Sequence, residues 1–314
     1  MAAREQAGLV DAPRDPTPLG PREVEGRTLA TLISTGTELN AAYLGSHFPA
    51  TPGYAAVFEV ERAGAGAGLA PGEVAFCMGP HRSWQRASVE DALPVPPGLD
   101  PLWASFARLM NVAMSTLTTT TARPPQTVLV TGLGPVGHLA ARVFMLCGYE
   151  VVACDPDPAR RAAAERAGLP RVLESVPLRD PAVTGRVALA LECSGAEAAA
   201  LDCCRAVRKR GEVVLVGVPW RRGSDLSAHE LLHGIFHHYA VVRSGWEWEV
   251  PRQPAEFVTG SMRENLGAAL RWLADGRVSV AELYAPARPD EIQAVYQALL
   301  GRTWPRPAAV IDWR

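Results

Sequence analysis

TVLVTGLGPVGHLAARVFMLCGYEVVACDPDPARR, residues 127–161, decides the fold. Thr127–Thr131 is a short β-branched run of the kind a buried parallel strand uses. Gly132, Gly134 and Gly137 then form G-x-G-x-x-G. The first glycine allows a tight turn, the second lets backbone approach a pyrophosphate, and the third lets the following helix pack closely on the strand. That helix, from Val136 to about Cys147, opens at Pro135 and turns its N-terminal amides toward the turn. Gly148 ends it, and Glu150–Cys154 is the next strand. Asp155 follows 18 residues after Gly137, close to the offset at which a carboxylate meets a ribose diol. Strand, turn, helix, strand and acid agree on half of a dinucleotide-binding unit. The acid favours NAD(H) over NADP(H), because Asp155 accepts from a 2′-hydroxyl and repels a 2′-phosphate. Arg160 and Arg161 pull the other way, since an arginine can hold that phosphate.

Outward from this stretch the chain has two grammars. Upstream, Arg27–Ser34, Tyr54–Arg62 and Glu73–Met78 are strand candidates separated by Gly- and Pro-rich turns, as in a small β-rich unit. Residues 1–27 are rich in proline and charge and read as irregular surface chain. Residues 101–118 carry a helical apolar stripe. From residue 127 strands and helices alternate: helix Pro158–Ala167, strand Val187–Leu191 running into Glu192-Cys193-Ser194-Gly195, helix Ala196–Val207, strand Glu212–Gly217 and strand Tyr239–Ser244. Helices Glu264–Ala274 and Asp290–Leu300 and a closing strand Ala308–Ile311 end the chain. Ser194, Gly195 and Gly217 close strands beside the glycine turn and join the cofactor-binding candidates.

Bulk properties narrow the partners. The chain has 314 residues, 48% of them hydrophobic and 20% charged, with a net charge of −2. That gives no basic footprint for nucleic acid. No apolar run approaches the ~18–20 residues that span a bilayer, and the N-terminus lacks a signal-like apolar core. Six cysteines without a C-x-x-C spacing read as reduced thiols of a cytoplasmic protein.

The order of motifs resembles the medium-chain dehydrogenase/reductase superfamily. STGTEL (34–39), FPATPGYAAVFEVERAG (48–64), VLVTGLGPVG, ALECSG, GEVVLVGVP (211–219), LRWLADGRV and DEIQAVYQALL carry the likeness. The resemblance implies an α/β protein: a Rossmann doubly wound parallel sheet plus a GroES-like β-rich catalytic domain. The expected divisions are 1–114, 115–262 and 263–314, the last returning to complete the catalytic domain. The STGTE…PGY combination is similar to bacteriochlorophyllide-dehydrogenase-related proteins and other enzymes of specialised metabolism. The implied activity is hydride transfer between a nicotinamide and an alcohol/carbonyl substrate. Reduction of a conjugated C=C or C=N bond and a non-redox cofactor-binding role are the alternatives. The superfamily often pairs nucleotide-domain sheet edges, which implies a homodimer with Tyr239–Ser244 and the preceding helix as interface material.

Departures from the family bear on mechanism. Its zinc members use a cysteine, a histidine and a further cysteine or glutamate. Here those places fall at Thr35, Tyr54 and near Met110 or Asn111, and the four-cysteine structural lobe is missing. None of the thiolate, imidazole or carboxylate donors zinc prefers stands there, so a zinc-independent member is expected. Thr37 aligns with the family's proton-relaying hydroxyl and Tyr54 takes the place of a metal-binding histidine. His47 and His81 are further acid/base candidates, and Trp84, Trp246 and Trp248 are candidates for an aromatic wall. His229-Glu230-Leu231-Leu232-His233 is a literal H-E-x-x-H. It falls within the nucleotide-domain sequence and lacks a third ligand, so a histidine-rich helix is expected instead.

Overall fold

A computed structural model describes all 314 residues and divides into two compact units, residues 1–108 with 266–314, and residues 109–265. No helix is long and apolar enough to cross a membrane.

The first unit is built on a seven-stranded sheet. Strands β1 (Glu23–Ile33), β2 (Ala56–Ala63), β3 (Val74–Cys77), β4 (Trp84–Ser88) and β5 (Leu93–Pro94) are joined by two from the chain's end, β12 (Tyr284–Ala287) and β13 (Ala308–Asp312). The path is β12-β13-β1-β2-β3-β5, with β4 pairing the front half of β1. Strand β1 starts at Glu23, four residues earlier than the sequence suggested. Its charged residues disguise it, because their partners lie across the sheet. Glu23 pairs with Arg86 at 2.5 Å, Glu25 with Arg62 at 2.6 Å and Arg27 with Glu59 at 2.7 Å. Val24, Phe58, Val60, Ala75 and Cys77 fill one core cluster. Ile33, Leu39, Tyr43, Val295 and Tyr296 fill another, where the Tyr43 and Tyr296 rings stack at 5.1 Å.

The helices are α1 (Thr35–Thr37), running into a π-helical stretch Glu38–Tyr43, then α2 (Pro101–Ala104) and α3 (Ala107–Thr119). The expected single helix over 101–118 is therefore broken after Ala104. Asp100 caps α2 by accepting from Leu102 N at 2.9 Å, with Pro101 in the first helical position.

The second unit is a six-stranded parallel sheet, β6 (Thr127–Thr131), β7 (Glu150–Cys154), β8 (Val172–Leu173), β9 (Val187–Glu192), β10 (Val207–Leu215) and β11 (Val241–Ser244). The order β11-β10-β9-β6-β7-β8 places β6 in the middle, with the chain running out to β8 and then back to β9 on its other side. The crevice between β6 and β9 is the topological switch point at which such sheets bind ligands. Helices α4 (Pro135–Leu146), α5 (Pro158–Arg166), α6 (Glu197–Ala206) and α7 (Ala228–His238) connect the strands, while α8 (Met262–Ala274) and α9 (Ile292–Leu300) follow. Alternation along each strand feeds two cores: Val128, Val130, Leu189 and Leu191 on one face, Leu129, Val152, Ala190 and Val213 on the other. Strand β10 begins five residues before the expected Glu212, and its pairing with β9 shifts register between Val207 and Glu212. The exposed Arg208, Lys209 and Arg210 in that bulge hide the strand from a hydrophobic pattern.

Candidate functional site

In the second unit the glycine turn is built as the motif demands. Gly132 has φ +82°, and a Cβ there would lie 2.8 Å from both Ser194 N and Ser194 Cβ. A Cβ on Gly137 would fall 1.8 Å from the Gly132 carbonyl oxygen and 3.1 Å from Cys193 Cβ, so helix and turn touch through bare backbone. Gly134 differs: nothing lies within 4 Å of its Cβ position. It caps α4, whose first residues are Pro135 and Val136. The first amides of a helix have no partner within it, so this end offers donors and a partial positive charge over open space.

Two acids brace the crevice. Asp155, 2% exposed, accepts from Leu133 N at 2.6 Å and Asp157 N at 2.8 Å, with Arg160 Nη1 at 3.4 Å. It ties the glycine turn to the end of β7, a task the ribose assignment did not foresee. Glu192, buried at the end of β9, accepts from the backbone amide and hydroxyl of Ser194, from Gly195 N and from Thr131 Oγ1. Burial raises its pKa above the usual carboxylate range, and these donors hold it down in part. Gly217 continues the floor: its amide donates to the Glu192 carbonyl at 2.7 Å, and a Cβ there would meet Gly195 N at 2.3 Å.

In the first unit the structure gathers Ser34, Thr37, Glu38, Tyr54, His81, Arg108 and Tyr296. Tyr54, partly exposed, hydrogen-bonds the side chains of Ser34 and Thr37. The Arg108 guanidinium lies over its ring, 4.7 Å from the centroid. Burial raises the Tyr54 phenol above its ordinary value, while the two side-chain bonds and the Arg108 charge lower it. Glu38 accepts from Ser34 N at 2.8 Å, from the Tyr296 hydroxyl at 2.5 Å and meets His81 Nε2 at 2.8 Å. His81 is pressed against Gly53, where φ is +101° and a Cβ would sit 2.5 Å from His81 N. Its Nδ1 is buried with no hydrogen-bond partner.

Thus Thr37, Tyr54 and His81 come together, and His47 does not. His47 lies on an exposed loop with its ring against the Ser46 hydroxyl at 3.2 Å. Trp84 is covered by Arg14, 3.4 Å from the ring, and Trp246 and Trp248 are exposed in the other unit. The sequence missed Glu38, Arg108 and Tyr296. Glu38 stood beside Thr37 in a quoted motif, but no local signal links Arg108 or Tyr296 to it.

At the places the resemblance gives to metal, Thr35 bonds the Pro307 carbonyl at 3.2 Å, Tyr54 lies under a cation, Met110 is core, and Asn111 donates to Glu247 at 3.0 Å. No group of three His, Cys, Asp or Glu side chains is placed to hold a metal ion. The H-E-x-x-H segment is α7. Glu230 there closes a capping box with Ser227, donor and acceptor in both directions, which pulls its pKa below the usual range. His229, His233 and His237 line an exposed face, with ring centroids 6.1 and 4.0 Å apart.

The second unit has the architecture of a Rossmann fold and the first that of a GroES-like β unit. Residues 135–249 match the family described as zinc-binding dehydrogenase. Over 108 residues the chain is 32% identical to an alcohol dehydrogenase of Rhizobium meliloti (strain 1021), covering 32% of this chain and 31% of that protein, so the likeness spans about a third of the relative. Among solved structures, galactitol-1-phosphate dehydrogenase from Escherichia coli is similar over 98% of both chains, with TM-score 0.79 and 16% identity. Alcohol dehydrogenase TADH from Thermus sp. ATN1 is similar over 99% of this chain and 98% of its own, with TM-score 0.75 and 21% identity. A candidate zinc-binding dehydrogenase from Sinorhizobium meliloti 1021, bound to NADP, covers 95% of this chain and 93% of its own, with TM-score 0.72 and 18% identity. In fold the chain is similar to these dehydrogenases, and in sequence the match to the zinc-binding dehydrogenase family lies within its second unit.

Proposed function

We propose that the protein is a zinc-independent oxidoreductase of specialised metabolism that moves hydride between NAD(H) and the alcohol/carbonyl group of a small molecule. The observation that carries this is the glycine turn: two glycines fixed by backbone contact and a third facing open space at a helix N-terminus. Gly132, Gly134 and Gly137 with the amides of Val136 and its neighbours suit a pyrophosphate. Asp155, Arg160, Ser194, Gly195 and Gly217 suit the rest of a dinucleotide. When bound, the nicotinamide supplies or takes up the hydride. The buried Asp155 carboxylate supports NAD(H), while Arg160 beside it keeps NADP(H) within reach.

Thr37, Tyr54 and His81 are the candidate proton carriers. Tyr54 and Thr37 share a hydrogen bond and retain partial exposure. Zinc independence rests on the donor chemistry: Thr35, Tyr54, Met110 and Asn111 stand at the places the resemblance gives to metal ligands, and His81 and Glu38 bond each other. The same hydroxyl-lined site suits a conjugated C=C bond, and product analysis with deuterated cofactor separates the two reactions. The apolar β11 edge and α7 face, with Leu232, Phe236 and Val241 exposed, support a homodimer that sedimentation would detect.

The primary test is titration with NADH and NADPH. NADH should bind in the micromolar range and more tightly than NADPH. Failure of both to bind below millimolar concentrations overturns the proposal. Metal analysis of the purified protein, expected to find no stoichiometric zinc, tests the second half.

A further inference from the structure

Hydride addition to a carbonyl carbon sends the C=O π pair onto oxygen, and that charge needs a partner in place before the reaction. In the first unit a buried cation lies against a phenol. Arg108 is 4% exposed, lies in the first turn of α3 and stacks its guanidinium over the Tyr54 ring at 4.7 Å. This is an expensive place for a cation. It has left water, and it opposes the positive end of the helix dipole. Arginine on an aromatic face returns part of that cost. Tyr54 and Thr37 each stay partly exposed, while Arg108 is buried.

We propose that Tyr54 and Arg108 form the carbonyl-oxygen site of this protein: the Tyr54 hydroxyl donates a proton to the reduced oxygen, and the Arg108 guanidinium holds the phenolate left behind. The inference rests on the oxidoreductase reading and names its substrate class, an aldehyde or ketone. The new C–H bond takes its hydride from the reduced nicotinamide, which leaves oxidised. The C=O π pair takes the Tyr54 proton and becomes an O–H bond. Tyr54 regains a proton from solvent, so nothing beyond cofactor and proton is consumed. Tyr54 is the catalytic residue, and Arg108 acts through it as a positioning residue.

The groups that set the phenol are Arg108 from α3, Ser34 and Thr37 from the strand end and turn, Glu38 from the π-helical stretch and Tyr296 from α9. Arg108 and the two hydrogen bonds favour the phenolate, and Glu38 opposes it. Removing Arg108 should therefore move the phenol upward, whereas a purely structural Arg108 would leave it in place.

The test labels Tyr54 as difluorotyrosine, whose phenol ionises near neutrality, and follows its fluorine resonance with pH. In Arg108→Met the midpoint should rise by about one pH unit, the lower end of what an opposite charge within 4–6 Å supplies. In Arg108→Lys it should stay near the wild type. Should Arg108→Met fail to fold, Arg108→Gln serves as the neutral variant. Equal midpoints in wild type and the neutral variant overturn the pairing. A second arm measures binding of benzoate, a carboxylate standing in for the charged oxygen, by saturation-transfer NMR. Binding should weaken about tenfold, ~1.4 kcal/mol, in Arg108→Met and in Tyr54→Phe. No binding to the wild type, or binding by both variants as tight as that of the wild type, also overturns it. NADH titration of every protein runs alongside. If the wild type does not bind NADH the oxidoreductase reading falls, while the fluorine midpoints still decide whether Arg108 governs Tyr54.

Discussion

Gly134 and Gly137 are three residues apart in one motif, yet alanine at each should do opposite things. At Gly137 the new methyl carbon would lie 1.8 Å from the Gly132 carbonyl oxygen and 3.1 Å from Cys193 Cβ. The first is backbone and cannot swing aside, so α4 must move off the turn. Overpacking of this kind costs ~1–3 kcal/mol, offset by up to ~1 kcal/mol because alanine is the better helix former. The net loss of ~1–2 kcal/mol corresponds to a fall in melting temperature of roughly 2–8 °C for a unit of this size. At Gly134 no atom lies within 4 Å of the methyl, and φ −64°, ψ −178° is open to any residue. Gly134→Ala should therefore keep its stability to within about 1 kcal/mol. Its methyl instead occupies the space through which a pyrophosphate approaches the first amides of α4. NADH affinity should drop about 10–100-fold, ~1.4–2.8 kcal/mol. Differential scanning fluorimetry and NADH fluorescence titration on the two variants measure both quantities. A Gly134→Ala protein that binds NADH like the wild type would refute the phosphate assignment, whatever its melting temperature.

Further consequences can be checked separately. Tyr54→Phe should lower the turnover of carbonyl reduction by about 100-fold or more at unchanged NADH affinity, the usual scale for a lost proton donor; steady-state kinetics with unchanged turnover would remove Tyr54 from the site. Arg160→Ala should leave NADH binding within about threefold and weaken NADPH binding about tenfold, as expected if the guanidinium is what tolerates a 2′-phosphate beside Asp155; equal losses for both cofactors would contradict it. Ser227→Ala removes the hydroxyl that caps α7 and should cost ~1 kcal/mol in urea unfolding, while leaving turnover intact, since the H-E-x-x-H residues serve the helix. Burial pushes the Cys77 and Cys154 thiols from 9.0 up to about 12. The unfolded chain then loses those protons first, so stability is intact below pH 9 and falls as pH rises from 9 toward 12; a midpoint in urea that is flat across that range would contradict this.

The nucleotide unit was legible because its function is carried by backbone geometry over contiguous residues. A close approach of helix to turn demands glycine at Gly132 and Gly137, and that demand is written within six positions. The substrate cluster was legible only in part, because its members come from residues 34–38, 54, 81, 108 and 296. Periodicity sees Arg108 as one polar residue on an apolar helix and Tyr296 as core. The return of β12 and β13 beside β1 carries Tyr296, on the helix between them, to Glu38, and the start of α3 carries Arg108 to Tyr54. The same blindness hid the start of β1, whose charges are neutralised across strands. His229–His233 matched a chemical motif while Ser227–Glu230 matched a structural one, and the carboxylate they share is committed to the cap.

Glu38 is satisfied by side-chain and backbone donors of its own unit. A buried carboxylate must find donors or protonate, and this one has three: the Ser34 amide, the Tyr296 hydroxyl and the His81 ring. None is Tyr54, although Tyr54 fills the place where the family keeps an imidazole. An imidazole reaches Glu38 from His81, while Tyr54 carries the Arg108 guanidinium over its ring. Charge balance around Tyr54 is thereby kept by one fixed cation and one fixed anion on different elements. Burial holds the phenol above its ordinary value, Arg108 lowers it and Glu38 raises it. With both present, the hydroxyl can give up its proton when negative charge grows on a neighbouring oxygen and recover it from water afterwards, which is what a proton donor in a hydride-transfer site has to do.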